Sequence, residues 1–282
     1  MNEDLMGDGP PPPPSLSVPC LAWRSGEMSA SARAVPEETA IAFTFNGTTH
    51  AVMMATPGDF EDFAVGFALT EGLIESSSEI ASLDIVTTLL GIELRVWLPE
   101  ERAKTFAARR RSMAGPTGCG LCGIESLEEA TRPAPVVSNA SRFDPGAIVE
   151  AMASLSVEQK LNGETRAVHA AGFWTPARGL VAVREDVGRH NALDKLIGGL
   201  ARGGDVAAHG IVLLTSRVSI ELIQKAARLG APVVAAVSAP TAAGVRLADA
   251  SGITLVAVAR GQDFEVFTHH QRIIGRAAHH VA

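Results

Sequence analysis

The sequence predicts an α/β fold (α+β overall), with a smaller β-rich N-terminal part and an α/β C-terminal part. Three observations carry this. In the C-terminal half, short apolar runs alternate with segments whose apolar residues recur at helical spacing, the pattern of an α/β layer fold with a parallel or mixed sheet. In the N-terminal half, apolar runs come in pairs around turn residues, as antiparallel hairpins do. Finally, 282 residues are more than one small core needs, and about two domains of roughly 100–200 residues each are expected.

Residues 1–20 hold acids and a run of five prolines, Pro10–Pro14. They have no basic start and no apolar stretch, so they do not read as a signal peptide. A solvated polyproline II tail, disordered, is the expectation. Ala40–Phe45 and Thr48–Met54 flank Asn46-Gly47, a pair suited to the positive φ angles of a type I′ hairpin turn. Thr56-Pro57-Gly58-Asp59 supplies a capping hydroxyl and a proline for a helix start. Phe60, Phe63, Ala64 and Phe67 then follow at helical spacing, and Gly72 stops the helix. Ile85–Thr88 and Ile92–Leu98 read as a second strand pair. Residues 100–130 turn irregular and glycine-rich, and a proline-spotted link runs from Arg132 to Pro135. The expected division is a tail at 1–20, a β-rich domain at 21–135 and an α/β domain at 136–282.

In the last of these, Asp144-Pro145 opens a helix with Ile148, Met152 and Leu155 on one face. Phe173–Trp174 and Leu180–Val183 form a strand pair, and Gly188–Leu200 a helix. Strands at Ile211–Thr215, Pro232–Val237 and Ile253–Ala259 alternate with helices at Ser219–Leu229 and Ala242–Ala250, closed by Gly230 and Gly252. Sheets of this kind take ligands outside the carboxyl ends of their strands. That puts Thr215-Ser216-Arg217, Ser238-Ala239-Pro240-Thr241 and Arg260-Gly261 on one rim.

Composition narrows the chemistry. With 46% hydrophobic and 20% charged residues, the chain has the apolar content to build a core, which disordered chains lack. A net charge of −7 gives no general affinity for nucleic acid or anionic membranes. The absence of tyrosine excludes a phenol acid or nucleophile. The apolar runs fall far short of the roughly 20 residues of a membrane span. Three cysteines cannot build a disulfide framework and suit a reducing, cytoplasmic setting.

Two of them form Cys119-Gly120-Leu121-Cys122, flanked by Gly118 and Gly123. The spacing fits half a zinc site. However, a deaminase-type site pairs Pro-Cys-x-x-Cys with an upstream His-x-Glu. Gly118 precedes Cys119 here, and no His-x-Glu occurs, so no bound metal is expected. A thioredoxin-type dithiol would sit at a strand-to-helix turn with a depressed thiol pKa. A sulfur carrier would hold a persulfide on an accessible thiolate, and glycines allow close approach of a donor. Spacing alone leaves dithiol and persulfide open.

A second polar block, Arg184-Glu185-Asp186-Val187-Gly188-Arg189-His190-Asn191-Ala192-Leu193-Asp194-Lys195, lies at a strand-to-helix junction between apolar flanks. A solvated helix start is the plainest interpretation of such a run. Clamped between core elements, it more often lines a pocket or holds paired networks. His169, in an apolar setting, reads as a satisfied core histidine or as an acid–base group. Arg217 and Arg260 end strands at the rim, where a guanidinium suits phosphate and the following helix N-termini favour anions. No Walker loop or Gly-x-Gly-x-x-Gly is present.

The motifs taken together resemble the formate dehydrogenase accessory sulfurtransferase (FdhD) family. They are Thr56–Phe67 with Glu71-Gly72, Gly118–Gly123, Arg184–Lys195, Ser216-Arg217-Val218-Ser219 and Ser238-Ala239-Pro240-Thr241. The resemblance implies a cytidine-deaminase-like three-layer α/β domain without zinc chemistry. It also implies a sulfurtransferase that takes sulfur from a cysteine desulfurase. The substrate it binds and sulfurates is Mo-bis(molybdopterin guanine dinucleotide), on behalf of the formate dehydrogenase catalytic subunit. By resemblance the persulfide cysteine is Cys119, with Cys122 beside it and its role open. The family's cofactor-binding stretch matches Ala257-Val258-Ala259-Arg260-Gly261-Gln262, with Val258 where the family has an aromatic. Arg217, His169, Arg189 and His190 complete the candidate cofactor-binding set. The family also suggests a homodimer. A non-enzymatic cofactor chaperone and a dithiol–disulfide oxidoreductase are the alternatives.

Overall fold

The computed structural model describes residues 9–99, 102, 134–205 and 207–275. Cys119 and Cys122 lie outside these residues.

The chain begins with an antiparallel ribbon of β1 (Ser15–Arg24) and β2 (Glu27–Pro36). This corrects the expectation of a disordered tail through residue 20: from Ser15 on, the backbone pairs along ten register positions with β2. The next unit is a four-stranded sheet of β3 (Thr39–Phe45), β4 (Thr48–Ala55), β5 (Ser82–Thr88) and β6 (Gly91–Trp97) in the order β4-β3-β6-β5. The Asn46-Gly47 turn has φ values of 46° and 77°, the positive pair that a type I′ turn needs. Helix α1 (Phe60–Thr70) lies on this sheet. Phe67 stacks on Phe43 at 4.1 Å, and Phe63 meets the same ring edge-on at 4.9 Å.

The C-terminal part is a six-stranded mixed sheet: β7 (His169–Thr175), β8 (Gly179–Asp186), β9 (Ile211–Leu214), β10 (Val233–Ala236), β11 (Thr254–Arg260) and β12 (Asp263–Val266). The order is β12-β11-β10-β9-β7-β8, with β9, β10 and β11 parallel. β9 and β10 are buried throughout, which is why they read as unbroken apolar runs rather than alternating ones. On one face pack α4 (Arg189–Gly203), α5 (Ile220–Leu229) and α6 (Ala242–Ala250). On the other packs α2 (Pro145–Glu158) through Ile148, Ala151 and Leu155, with the short α3 (Lys160–Thr165) after it. This is the three-layer α/β arrangement. Three features were not anticipated: the short α3, edge strand β12, and the extension of β8 through the charged Arg184-Glu185-Asp186.

The two parts meet where α1 crosses α4. A Cβ on Gly66 would lie 1.7 Å from Asp194 O, and one on Gly198 would lie 1.8 Å from Asp62 O. Only glycine lets the backbones come this close. No helix among the described residues is long and apolar enough to cross a membrane.

Candidate functional site

Because β9, β10 and β11 are parallel, their carboxyl ends open on one edge of the sheet. β7 runs antiparallel to β9 and β8 antiparallel to β7, so the same edge receives the start of β7 and the end of β8. His169 is the first residue of β7 and pairs in register with Asp186, the last of β8. Arg189 and His190 open α4, and Arg217 follows β9. Folding thus brings His169, Arg189, His190 and Arg217 into one basic cluster. Burial, followed by the positive charge of Arg189, holds the His169 imidazole below its usual value; Asp186 pulls the other way, and His190 and Arg217 add to the lowering.

Of the three helix starts at this edge, α6 is capped by Thr241 Oγ1, which accepts from Gly244 N at 3.0 Å, and the other two have no side-chain cap. Gly188 and Ser219, the N-caps of α4 and α5, make no side-chain capping bond. Orphan amides at a helix start favour an anion. Four polar atoms beside them, Arg189 Nε, His190 Nε2, Ser219 Oγ and Glu221 Oε2, are buried without a hydrogen-bond partner among the described residues. His190 Nε2 stands 3.9 Å from Glu221 Oε2, too far for a hydrogen bond. The His190 imidazole nonetheless leads in holding the Glu221 carboxyl down to about 2, and Ser219 assists against a burial effect of opposite sign. Buried groups left unpaired cost free energy unless something satisfies them. Such a group of atoms therefore points to a ligand.

The Ala257–Gln262 stretch lies on the same edge, two strands from Arg217. Val258 adopts φ 54° beside a register shift between Ala257 and Arg260. A β-branched residue rarely takes that conformation. Arg260 is exposed, and its Nε donates to Val237 O at 3.4 Å. The edge therefore carries two sets of groups about two strand spacings, roughly 10 Å, apart. A separate cleft of about 780 Å³ beside β8, lined by Leu180–Glu185, includes none of His169, Arg189, His190 and Arg217.

The charged residues of the rest of the Arg184–Lys195 block are tied up in internal pairs. Arg184 donates to Asp62 Oδ2, Lys195 Nζ sits 2.7 Å from Asp186 Oδ2, and Asp194 receives Lys225 Nζ at 2.8 Å. Thr56, expected to cap α1, instead ties to this block. Its Oγ1 accepts from Val187 N, its N–H donates to Asp186, and its carbonyl accepts from Lys195. Asp59 takes the cap position of α1 at φ 52° with no side-chain bond. Sequence reasoning missed Ser219 and Glu221. Ser219 stood in a quoted motif, and Glu221 read as an ordinary acid in a first helical turn. Among the described residues no cluster of three or more His, Cys, Asp or Glu side chains could hold a metal ion.

These features define an α/β protein with an anion-suited site at the carboxyl edge of its sheet. Residues 36–274 match the FdhD/NarQ family. The chain is 55% identical over 254 residues to the sulfur carrier protein FdhD of Agrobacterium fabrum, covering 90% of this chain and 94% of that one. It is 54% identical to the protein of that name in Brucella abortus, over 92% of this chain and 97% of that one. Against the Cupriavidus necator sulfur carrier protein FdhD the identity is 48%, over 95% and 92%. The fold is also similar to a Desulfotalea psychrophila crystal structure provisionally described as a formate dehydrogenase accessory protein. There the TM-score is 0.74 at 27% identity, covering 93% of this chain and 100% of that one. The chain belongs to the FdhD/NarQ family.

Proposed function

We propose that this protein is a cytoplasmic sulfur carrier for a formate dehydrogenase, loading sulfur on Cys119 and presenting it to Mo-bis(molybdopterin guanine dinucleotide) bound at the strand-end rim. The observation that supports the binding half is the set of four buried, unpartnered polar atoms beside two uncapped helix starts. Arg217 and Arg189 supply charge for a diphosphate, at roughly 1.5–3 kcal/mol per charge-assisted contact. Glu221, held ionised, suits the N1–H and amino donors of a guanine rather than a phosphate. The relatives' shared name supports the sulfur half. In the loading step the Cys119 thiolate attacks the outer sulfur of a persulfide on a cysteine desulfurase. One S–S bond forms as another breaks, and the desulfurase cysteine leaves as a thiolate, with no net change of oxidation state.

Intact-protein mass after incubation with a desulfurase and cysteine tests this. A gain of 32 Da, lost in Cys119→Ala and kept in Cys20→Ala, is expected from addition of one sulfur. An unchanged mass would leave a cofactor chaperone, and a loss of 2 Da a disulfide oxidoreductase. Loading that persists in Cys119→Ala but vanishes in Cys122→Ala would move the acceptor to the second cysteine.

A further inference from the structure

The segment that carries the rim's basic cluster into α4 is held by a residue from the other part of the molecule. Thr56 opens the link between β4 and α1, is buried, and spends three polar atoms on this segment. Its Oγ1 accepts from Val187 N at 3.1 Å, its N–H donates to Asp186 Oδ2 at 3.1 Å, and its carbonyl accepts from Lys195 Nζ at 2.8 Å. Asp186 Oδ1 in turn accepts from Gly188 N at 2.7 Å. A parallel tie runs from Asn191 Nδ2, which donates to Met54 O of β4 at 3.0 Å. The two amides that precede Arg189 are thus both fixed, Val187 N by the N-terminal part and Gly188 N by Asp186. Thr56 is suited to hold a position. Its branched side chain has little χ1 freedom, and Pro57 after it restricts its backbone.

We propose, on the reading of the rim as a nucleotide site, that Thr56 is a positioning residue for it: by holding Val187 N, it sets the direction in which Arg189 and His190 leave the sheet. Arg189 Nε and His190 Nε2 are buried without a hydrogen bond among the described residues. Groups in that state gain free energy from any internal partner they can reach. Keeping them available to a ligand takes a backbone that cannot shift. Gly188 gives α4 no side-chain cap to fix its first turn, so the anchor has to come from the residues before it. Attachment of α4 to the N-terminal part does not depend on this hydroxyl, because the close crossing at Gly66 and Gly198 supplies it. Thr56 therefore governs aim more than docking. Thr44 is the contrast. It is as buried as Thr56, at 4% against 3% exposed, but its Oγ1 donates to Glu93 Oε1 at 2.7 Å, inside the N-terminal sheet.

Two measurements on the full chain test the proposal, one with ligand and one without. Thr56→Val keeps the branched shape and removes the hydroxyl acceptor. Calorimetry against GDP should show its binding weakened on the order of 5- to 10-fold, the size of one lost hydrogen bond. Thr56→Ser, which restores the acceptor, should restore the affinity. Thr44→Val loses a comparable buried bond; it should lower the melting temperature as Thr56→Val does, yet leave GDP affinity unchanged. The ligand-free measurement is the titration of the His169 imidazole by NMR. Arg189 helps to hold that imidazole below its ordinary value. A displaced Arg189 should let the midpoint rise in Thr56→Val but not in Thr44→Val. If Thr56→Val does not fold, Asn191→Ala, which cuts the tie to Met54 O, decides in its place. Affinity and midpoint both unchanged in the folded variant, or both altered equally by Thr44→Val, overturn the proposal. A wild type without affinity for GDP overturns the nucleotide reading instead, and the His169 midpoint then decides for or against Thr56.

Discussion

Along one helix, two sets of buried polar groups have opposite fates. At the seam between α1 and α4, Asp186, Asp194 and Lys195 are fully buried, and each is answered: Asp186 by Lys195, Gly188 N and Asn191; Asp194 by Lys225 and Thr70; Lys195 also by Thr56 O. At the start of the same helix, Arg189 Nε and His190 Nε2, with Ser219 Oγ and Glu221 Oε2 across from them, are buried without a hydrogen bond among the described residues, and His190 and Glu221 meet only as a long ion pair at 3.9 Å. Charges that satisfy one another describe a joint between layers, where specificity of docking is gained at a desolvation cost. Charges that the chain itself leaves unsatisfied describe a place for something else. Charge density alone does not separate the two; partner accounting does.

The sharpest way to break the seam is to remove one half of a buried pair. Lys225→Met leaves Asp194 uncompensated, and the expected loss is about 3–5 kcal/mol of unfolding free energy, read from the urea midpoint. The paired change Asp194→Leu with Lys225→Met should recover much of it, because no charge is then left alone. Gly198→Ala attacks the same joint sterically. Its Cβ would lie 1.8 Å from Asp62 O, a backbone atom that cannot rotate aside. A loss of about 1–3 kcal/mol or more is expected. If Gly198→Ala melts like the wild type, the helices have room that the crossing denies.

How much of this was legible in the sequence follows from the same accounting. The Asn46-Gly47 hairpin, the α1 face, the parallel strands and their rim could be read because each depends on local periodicity or a turn residue. Arg217 and the polar block were legible as candidates, but the block's division was not. Arg189 and His190 face the rim while Asp194 and Lys195 face α1 and α5, and only the α1–α4 crossing decides which. Thr56 misled for a related reason. Its hydroxyl looked like a cap, yet a partner 131 residues away in sequence, Val187, takes it. The β1–β2 arm was obscured by the prolines before it, which drew the tail assignment past Ser15. Glu221 gave no signal, since its meaning lies in the groups around it and not in its position in the helix.

The rim is tested by binding rather than folding. Calorimetry against GDP, standing in for the guanine dinucleotide half of the substrate, should show Arg217→Ala weaker by about 10- to 100-fold, equivalent to about 1.4–2.7 kcal/mol. Arg260→Ala should cost less, because Arg260 is exposed and lies two strands from the basic cluster. Arg102→Ala is the control: it is paired with Glu79 at 2.7 Å, away from the sheet edge. All three variants should melt within a degree or two of the wild type, unlike the seam variants. Equal affinity across the three would remove Arg217 and Arg260 from the binding site.

The smallest expected effect separates the two regions by pH. The folded state holds the Glu221 carboxyl at about 2, against an ordinary value of 4.5, mainly through His190. A carboxyl depressed on folding contributes stability that is full above its unfolded value and disappears as pH falls through the folded one. Glu221 should therefore add a modest destabilisation as pH drops from about 4.5 to about 2. Glu221→Gln, which cannot titrate, should flatten that part of the profile. The substitution should also weaken GDP binding at pH 7 while leaving the seam's melting behaviour unchanged, because Glu221 touches none of Asp186, Asp194 or Lys195 through a hydrogen bond or ion pair. His169 acts in the same direction at higher pH. Its imidazole is held below the usual value by burial and Arg189, so the fold resists its protonation, and stability falls as pH drops below about 6.5. His169→Gln should remove this higher limb and leave the Glu221 limb in place. An acid profile identical in wild type and Glu221→Gln would show that the His190–Glu221 contact carries no charge coupling, and Glu221 would then drop out of the account of the site.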